Sequence, residues 1–148
     1  MQSLRKTITI NFIILSLLFS TNGFCSDLDS KLIDAVRSGD TKEVRALIEN
    51  GADANAVSKY GWTVLMDAAL QGHTKIVKLL IEKGLDVNAK SNDGWTALML
   101  AALEGHTKTV KLLIESGADV NAKNKDGETA YMLAEKNGFP ETAKYLIP

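Results

Sequence analysis

Apolar positions in this chain form one isolated block and one pattern that returns. The block is Ile8 to Phe19, ITINFIILSLLF, preceded by Arg5 and Lys6 and followed by STNGFCS. The pattern is helical. Leu98, Ala101 and Ala102 keep the three-and-four spacing of one helix face, and Val110, Leu112, Leu113 and Ile114 keep that of a second. Thr96 stands where its hydroxyl caps the first helix, and Gly105 is placed to end that helix in the left-handed region. Thr107 or His106 opens the second helix and Gly117 closes it. Ahead of both, Asp93-Gly94 marks a tight turn in which glycine takes positive φ. The stretch reads turn, helix, turn, helix.

That stretch recurs. Gly39, Gly72, Gly105 and Gly138 follow one another at a step of 33 residues, as do Ala35, Ala68, Ala101 and Ala134. Asn55, Asn88 and Asn121 keep the same step, and so do Gly61, Gly94 and Gly127. Four units result: 27–57, 58–90, 91–123 and 124–148. One such unit cannot bury its apolar face alone, so its stability must come from neighbours stacked on it. The paired alanines let adjacent helices approach closely.

The strings GWTVLMDAALQGH with KGLDVNA, and GWTALMLAALEGH with SGADVNA, resemble the ankyrin repeat, whose own period is the one found here. The resemblance covers all of 27–148. It implies an all-α solenoid of four helix-turn-helix units with short β-turn tips. One departure is that the family's Thr-Pro-Leu-His reads TVLM, TALM and TAYM, so Met66, Met99 and Met132 are expected to fill the space of the missing residues. The end units resemble caps. The first opens with acidic residues suited to a helix N-terminus and carries Asp34, Arg37, Lys42 and Glu43. The last replaces the Gly-His pair by Gly138-Phe139-Pro140 and places Glu135, Lys136 and Lys144 on its helices.

The isolated block changes the domain count. A basic start, an apolar core and a small-residue end is the layout of a secretory signal peptide, and the core is short of the roughly 20 residues that span a bilayer. Cleavage after Cys25 sets Gly23 and Cys25 at the small-residue positions, dividing the chain into a signal peptide, 1–25, and a repeat domain, 26–148. The alternatives are an uncleaved anchor and a lipid-modified Cys25, from whose motif the bulky Phe24 departs. A membrane enters only through these two. The block carries two basic residues and no acid, so its removal takes the formal net charge from −1 to −3. Such a surface has no footprint for nucleic acid. A single Cys excludes an intramolecular disulfide and a Cys-rich zinc site.

Candidate chemistry is thin. His73 and His106 are the only histidines and hold equivalent positions. Stacked units put them roughly 10 Å apart, too far to share a zinc with ligands at about 2 Å. They read as imidazoles that bond backbone at the helix start. Asp53, Asp86 and Asp119 read as turn formers bonding their own backbone. No phosphate-cradling loop and no nucleophile–base arrangement is visible, so the chain is expected to be no enzyme, with no cofactor, metal or small-molecule substrate.

The resemblance implies instead an exported protein-interaction module, periplasmic or secreted and monomeric, whose partner is a protein held by the turn tips and the concave helix face. Mapping that pattern selects Lys59, Tyr60, Trp62, Leu70 and Gln71 in the second unit. In the third it selects Asn92, Asp93, Trp95, Leu103 and Glu104, and in the fourth Lys125, Asp126 and Glu128. Both tryptophans of the chain fall at one repeat position, with Leu70 and Leu103 at another, which predicts an apolar strip of the kind found at binding hot spots. The alternative is a self-associating or membrane-retained structural protein of the cell envelope.

Overall fold

The computed structural model describes residues 26–148. The proposed signal peptide lies outside the described residues. Eight helices follow one another there in four pairs, as the 33-residue step requires. They are α1 (Asp27–Ser38) with α2 (Thr41–Glu49), α3 (Val64–Gln71) with α4 (Thr74–Glu82), α5 (Ala97–Leu103) with α6 (Thr107–Glu115), and α7 (Ala130–Lys136) with α8 (Pro140–Ala143). The first helices of the pairs stack in one row and the second helices in another. Among the described residues the extended backbone amounts to an isolated bridge between Val57 and Thr63. The architecture is the all-α solenoid the repeat predicts.

Local chemistry explains where the first helices start and stop. Thr63, Thr96 and Thr129 are N-caps whose hydroxyls accept from the N–H groups of Met66, Met99 and Met132 at 3.2, 3.3 and 3.3 Å. Gly105, at φ 69°, turns the chain out of α5. Among the described residues the leading unit has no turn tip, and its start is made differently. Ser26 Oγ accepts from Asp29 N–H while Asp29 Oδ2 accepts from Ser26 N–H, both at 3.1 Å. The other oxygen of Asp29 accepts from Asp53 N–H at 2.7 Å and ties the start of α1 to the loop after α2.

The core lies between the two helix rows and runs unbroken through all four units. Leu32, Leu65, Met66, Ile76, Leu80, Leu98, Met99, Leu113 and Leu146 are its largest fully buried side chains. Each such burial stabilises by about 1.5–3 kcal/mol. Ala68, Ala69, Ala101, Ala102 and Ala134 are also fully buried, which is what lets successive first helices approach. Met66 and Met99 are fully buried, whereas half of Met132 is exposed: α3 and α5 each have a following first helix stacked on them, and among the described residues α7 has none. Tyr145 and Ile147 are exposed as well, so the last unit is a less polar cap than expected, and Lys144 follows α8 instead of lying in it.

The histidines join units. His73 Nε2 lies 3.1 Å from the carbonyl of Arg37, and His106 Nε2 lies 2.9 Å from that of Leu70. A carbonyl only accepts, so Nε2 is the protonated nitrogen in both rings. The bond goes to the end of the preceding unit's first helix and not to the ring's own helix start. α4 and α6, whose N-cap residues are His73 and His106, accordingly start without a side-chain cap bond. In the last unit the ring of Phe139 takes this place against Gly105. Asp53, Asp86 and Asp119 bond their own backbone, accepting from the N–H groups of Asn55, Asn88 and Asn121 at 2.8–2.9 Å.

Candidate protein-binding surface

Each turn tip is closed by its own first residue. In the third unit, Ser91 N–H donates to Trp95 O at 2.9 Å, Ser91 Oγ accepts from Trp95 N–H at 3.1 Å, and Gly94 N–H donates to Ser91 O at 2.9 Å. Ser58 and Asn124 open the tips of the second and fourth units in the same way, donating to Trp62 O and Glu128 O at 3.0 and 3.1 Å. Neighbouring tips are then linked. Asn92 donates from its backbone to Tyr60 O at 2.9 Å and from its side chain to Lys59 O at 3.1 Å. Lys125 donates to Asp93 O at 2.9 Å, and its ammonium lies 3.0 Å from the Asp93 carboxylate. Asn92, Asp93 and Lys125 therefore hold the tips in line, on an edge that faces solvent.

The last unit shows how the tip edge and the first-helix row meet. Glu128 occupies the repeat position of Trp62 and Trp95, and Lys136 that of Leu70 and Leu103. The Lys136 ammonium lies 3.0 Å from the Glu128 carboxylate, so these two positions face each other across the gap between tip and helix. The Asn124 amide also donates to Glu128, at 3.1 Å. That amide, and then Lys136, hold the Glu128 carboxyl below the usual carboxylate range.

In the second and third units the corresponding repeat positions carry Trp62 with Leu70 and Trp95 with Leu103, all half-buried. The two pairs differ in support. Trp95 and Leu103 pack on the buried core, whereas Trp62 and Leu70, among the described residues, do not join it. Tyr60 stands on the tip edge, 63% exposed, with the Lys59 ammonium 4.9 Å above its ring. Gln71 and Glu104 are exposed at the far ends of the first helices, and Asp126 is exposed on the last tip.

One residue of this face was not singled out from the pattern. Asp67, on α3, is only 7% exposed. Its carboxylate is 3.4 Å from Arg37 Nε on α1. The same repeat position holds exposed Asp34 in the first unit and buried Leu100 and Leu133 in the third and fourth. An acid in a column that turns apolar was the available signal, and it sits three residues before Leu70, on the same helix face.

The family model of ankyrin repeats in three copies matches the chain at residues 12–91, 32–124 and 89–148. The chain belongs to the ankyrin-repeat family. No curated protein matches it. Ankyrin repeats are generally protein–protein interaction modules, typically without enzymatic activity, which points to a protein partner. Among the described residues of this ankyrin stack, no group of three or more His, Cys, Asp and Glu is placed to hold a metal ion. Nor is any described helix long and apolar enough to cross a membrane.

Proposed function

We propose that this ankyrin chain is an exported module that binds a protein partner in the groove between its turn tips and first helices. The observation that carries the reading is the pair Trp62 and Leu70. They are large apolar side chains, half-open to solvent near exposed Tyr60, at positions bridged by an ion pair in the last unit, and among the described residues they do not join the core. Burial of such a tryptophan by a partner is worth about 2 kcal/mol or more. With the chain from Ser26 onward as bait in its native compartment, Trp62→Ala together with Tyr60→Ala should abolish partner capture and leave thermal unfolding nearly unchanged. Undiminished capture by that variant places the interface elsewhere.

Export rests on the basic, apolar and small-residue order of residues 1–25. The capping box that starts α1 uses Ser26 and Asp29 alone, which is compatible with cleavage after Cys25. N-terminal sequencing of the exported protein should read Ser26 at or near its first cycle; an intact Met1 on a membrane-bound species refutes it.

A second reading, self-association, is favoured by exposed Met132, Tyr145 and Ile147 in the last unit. Fractionation with size measurement separates the two, since a soluble monomer excludes an assembly built through that end.

A further inference from the structure

Asp67 is the anomaly of the groove. Its side chain is nine-tenths buried, yet the one cation beside it among the described residues, Arg37, meets it at 3.4 Å through Nε and is itself more than half exposed. The hydrogen bond is long for a charged pair, where about 2.7–2.9 Å is usual. A carboxylate withdrawn from water and held by a single loose contact retains much of its desolvation cost. The third and fourth units avoid that cost with Leu100 and Leu133 at the same position.

The surroundings define what would complete the site. Leu70 lies one helical turn from Asp67 on α3, and Trp62 and Leu70 hold the repeat positions that the Glu128–Lys136 ion pair bridges in the last unit. An aromatic and an aliphatic side chain near a buried carboxylate suit a cationic side chain, whose methylenes lie on the apolar groups while its head reaches the acid. The charges around the groove lean the same way. Among the described residues there, Glu104 and Asp126 carry no ion pair, the cations Lys125 and Lys136 are paired with Asp93 and Glu128, and Lys59 lies over the Tyr60 ring.

We infer that the occupant of this groove is a basic protein segment, one Lys or Arg of which passes between Trp62 and Leu70 to the Asp67 carboxylate. This rests on the groove reading proposed above. The unpaired acids at the rim steer the segment in, and the Trp/Leu pairs take its apolar side chains.

The probe is a synthetic amphipathic helical peptide of leucine and lysine, set against its leucine and glutamate counterpart. Trp62 and Trp95 are the only tryptophans, so intrinsic emission reports on the groove directly. The lysine peptide should shift that emission saturably and the glutamate peptide should not. Its affinity should fall about tenfold between about 50 and 300 mM salt. Asp67→Leu, which copies Leu100, should melt at or above the parent temperature and bind the lysine peptide about tenfold more weakly. Asp67→Asn, with the shape kept and the charge gone, should lose affinity likewise.

Equal binding of the lysine peptide by both Asp67 variants overturns the inference, as does equal binding of the two peptides by the parent chain. If the lysine peptide fails while Trp62→Ala still abolishes capture of the natural partner, the groove stands and the basic segment falls. If capture survives Trp62→Ala with Tyr60→Ala, the groove reading itself has failed.

Discussion

Side chains that look equivalent in the repeat do unequal work in the stack. Among the described residues Trp95 packs on the core and Trp62 does not, so Trp95→Ala should lower the melting temperature more than Trp62→Ala does. A larger loss at Trp62 would reverse the assignment of which tryptophan is structural. Gly105 and Gly117 make a similar pair. Both have positive φ, but a Cβ on Gly105 would run into the Phe139 ring, whereas among the described residues nothing lies within 4 Å of one on Gly117. Gly105→Val should therefore cost more than about 1 kcal/mol and clearly more than Gly117→Val, as measured by thermal unfolding. Glu128 adds a pH dependence. Its carboxyl is held below its ordinary value in the folded chain, so the stability it contributes is present at neutral pH and is lost as pH falls through that lowered value. Acid titration of unfolding should show this loss in the parent and a flatter profile in Glu128→Gln.

At the level of elements, the joints between units are not equally made. Asn88 grips the following unit with both ends of its amide, donating to Gly117 O at 3.0 Å and accepting from Asp119 N–H at 2.8 Å. Thr74 and Thr109 share a hydroxyl bond across the same joint at 2.9 Å, and Thr107 and Thr142 share one across the next at 2.7 Å. At the first joint the matching residues are Thr41 and Ile76, which cannot form it, and Asn55 makes no bond like that of Asn88 among the described residues. A shallow cleft opens there, lined by Ala54, Asn55, Val57, Leu65, Leu85 and Asp86. Amides of α1 and α2 should thus exchange with deuterium sooner than those of α5 and α6, and Asn88→Ala should speed exchange in α5 and α6. Uniform exchange along the stack would show the joints to be equivalent.

These differences mark the limit of what the pattern made legible. The 33-residue step and the Thr and Gly punctuation expose helices, caps and turns, because those depend on neighbours within a few residues. The partner of His106 is a carbonyl 36 residues away in another unit, and no local spacing names it. Asp67 was visible as an acid in a mostly apolar column. Its burial depends on α1 lying beside it with Arg37, which is a matter of stacking.

The whole molecule is a sum of neighbouring interfaces, and its two ends differ. The leading face carries Lys31, Asp34, Lys42 and Arg45, all exposed, while the trailing face carries exposed Met132 and Ile147. Removing residues 124–148 would bare the fully buried Met99, Ala101 and Ala102 at the new end. The shortened chain should aggregate, as light scattering would reveal. A soluble fragment with cooperative unfolding would show the last unit to be dispensable.

The ring contacts between units carry a direction. His73, His106 and Phe139 each come from the later unit and close on a glycine of the earlier one, at Gly39, Gly72 and Gly105. Asp40 holds the ring position in the first unit, and among the described residues nothing lies within 4 Å of a Cβ on Gly138. Among the described residues the array is therefore polar in the manner of a filament with unlike ends, one offering an open glycine and the other no ring. A copy of residues 91–123 inserted after Lys123 would present His106's counterpart to Gly105 and its own glycine to Phe139, lengthening the stack without a new kind of contact.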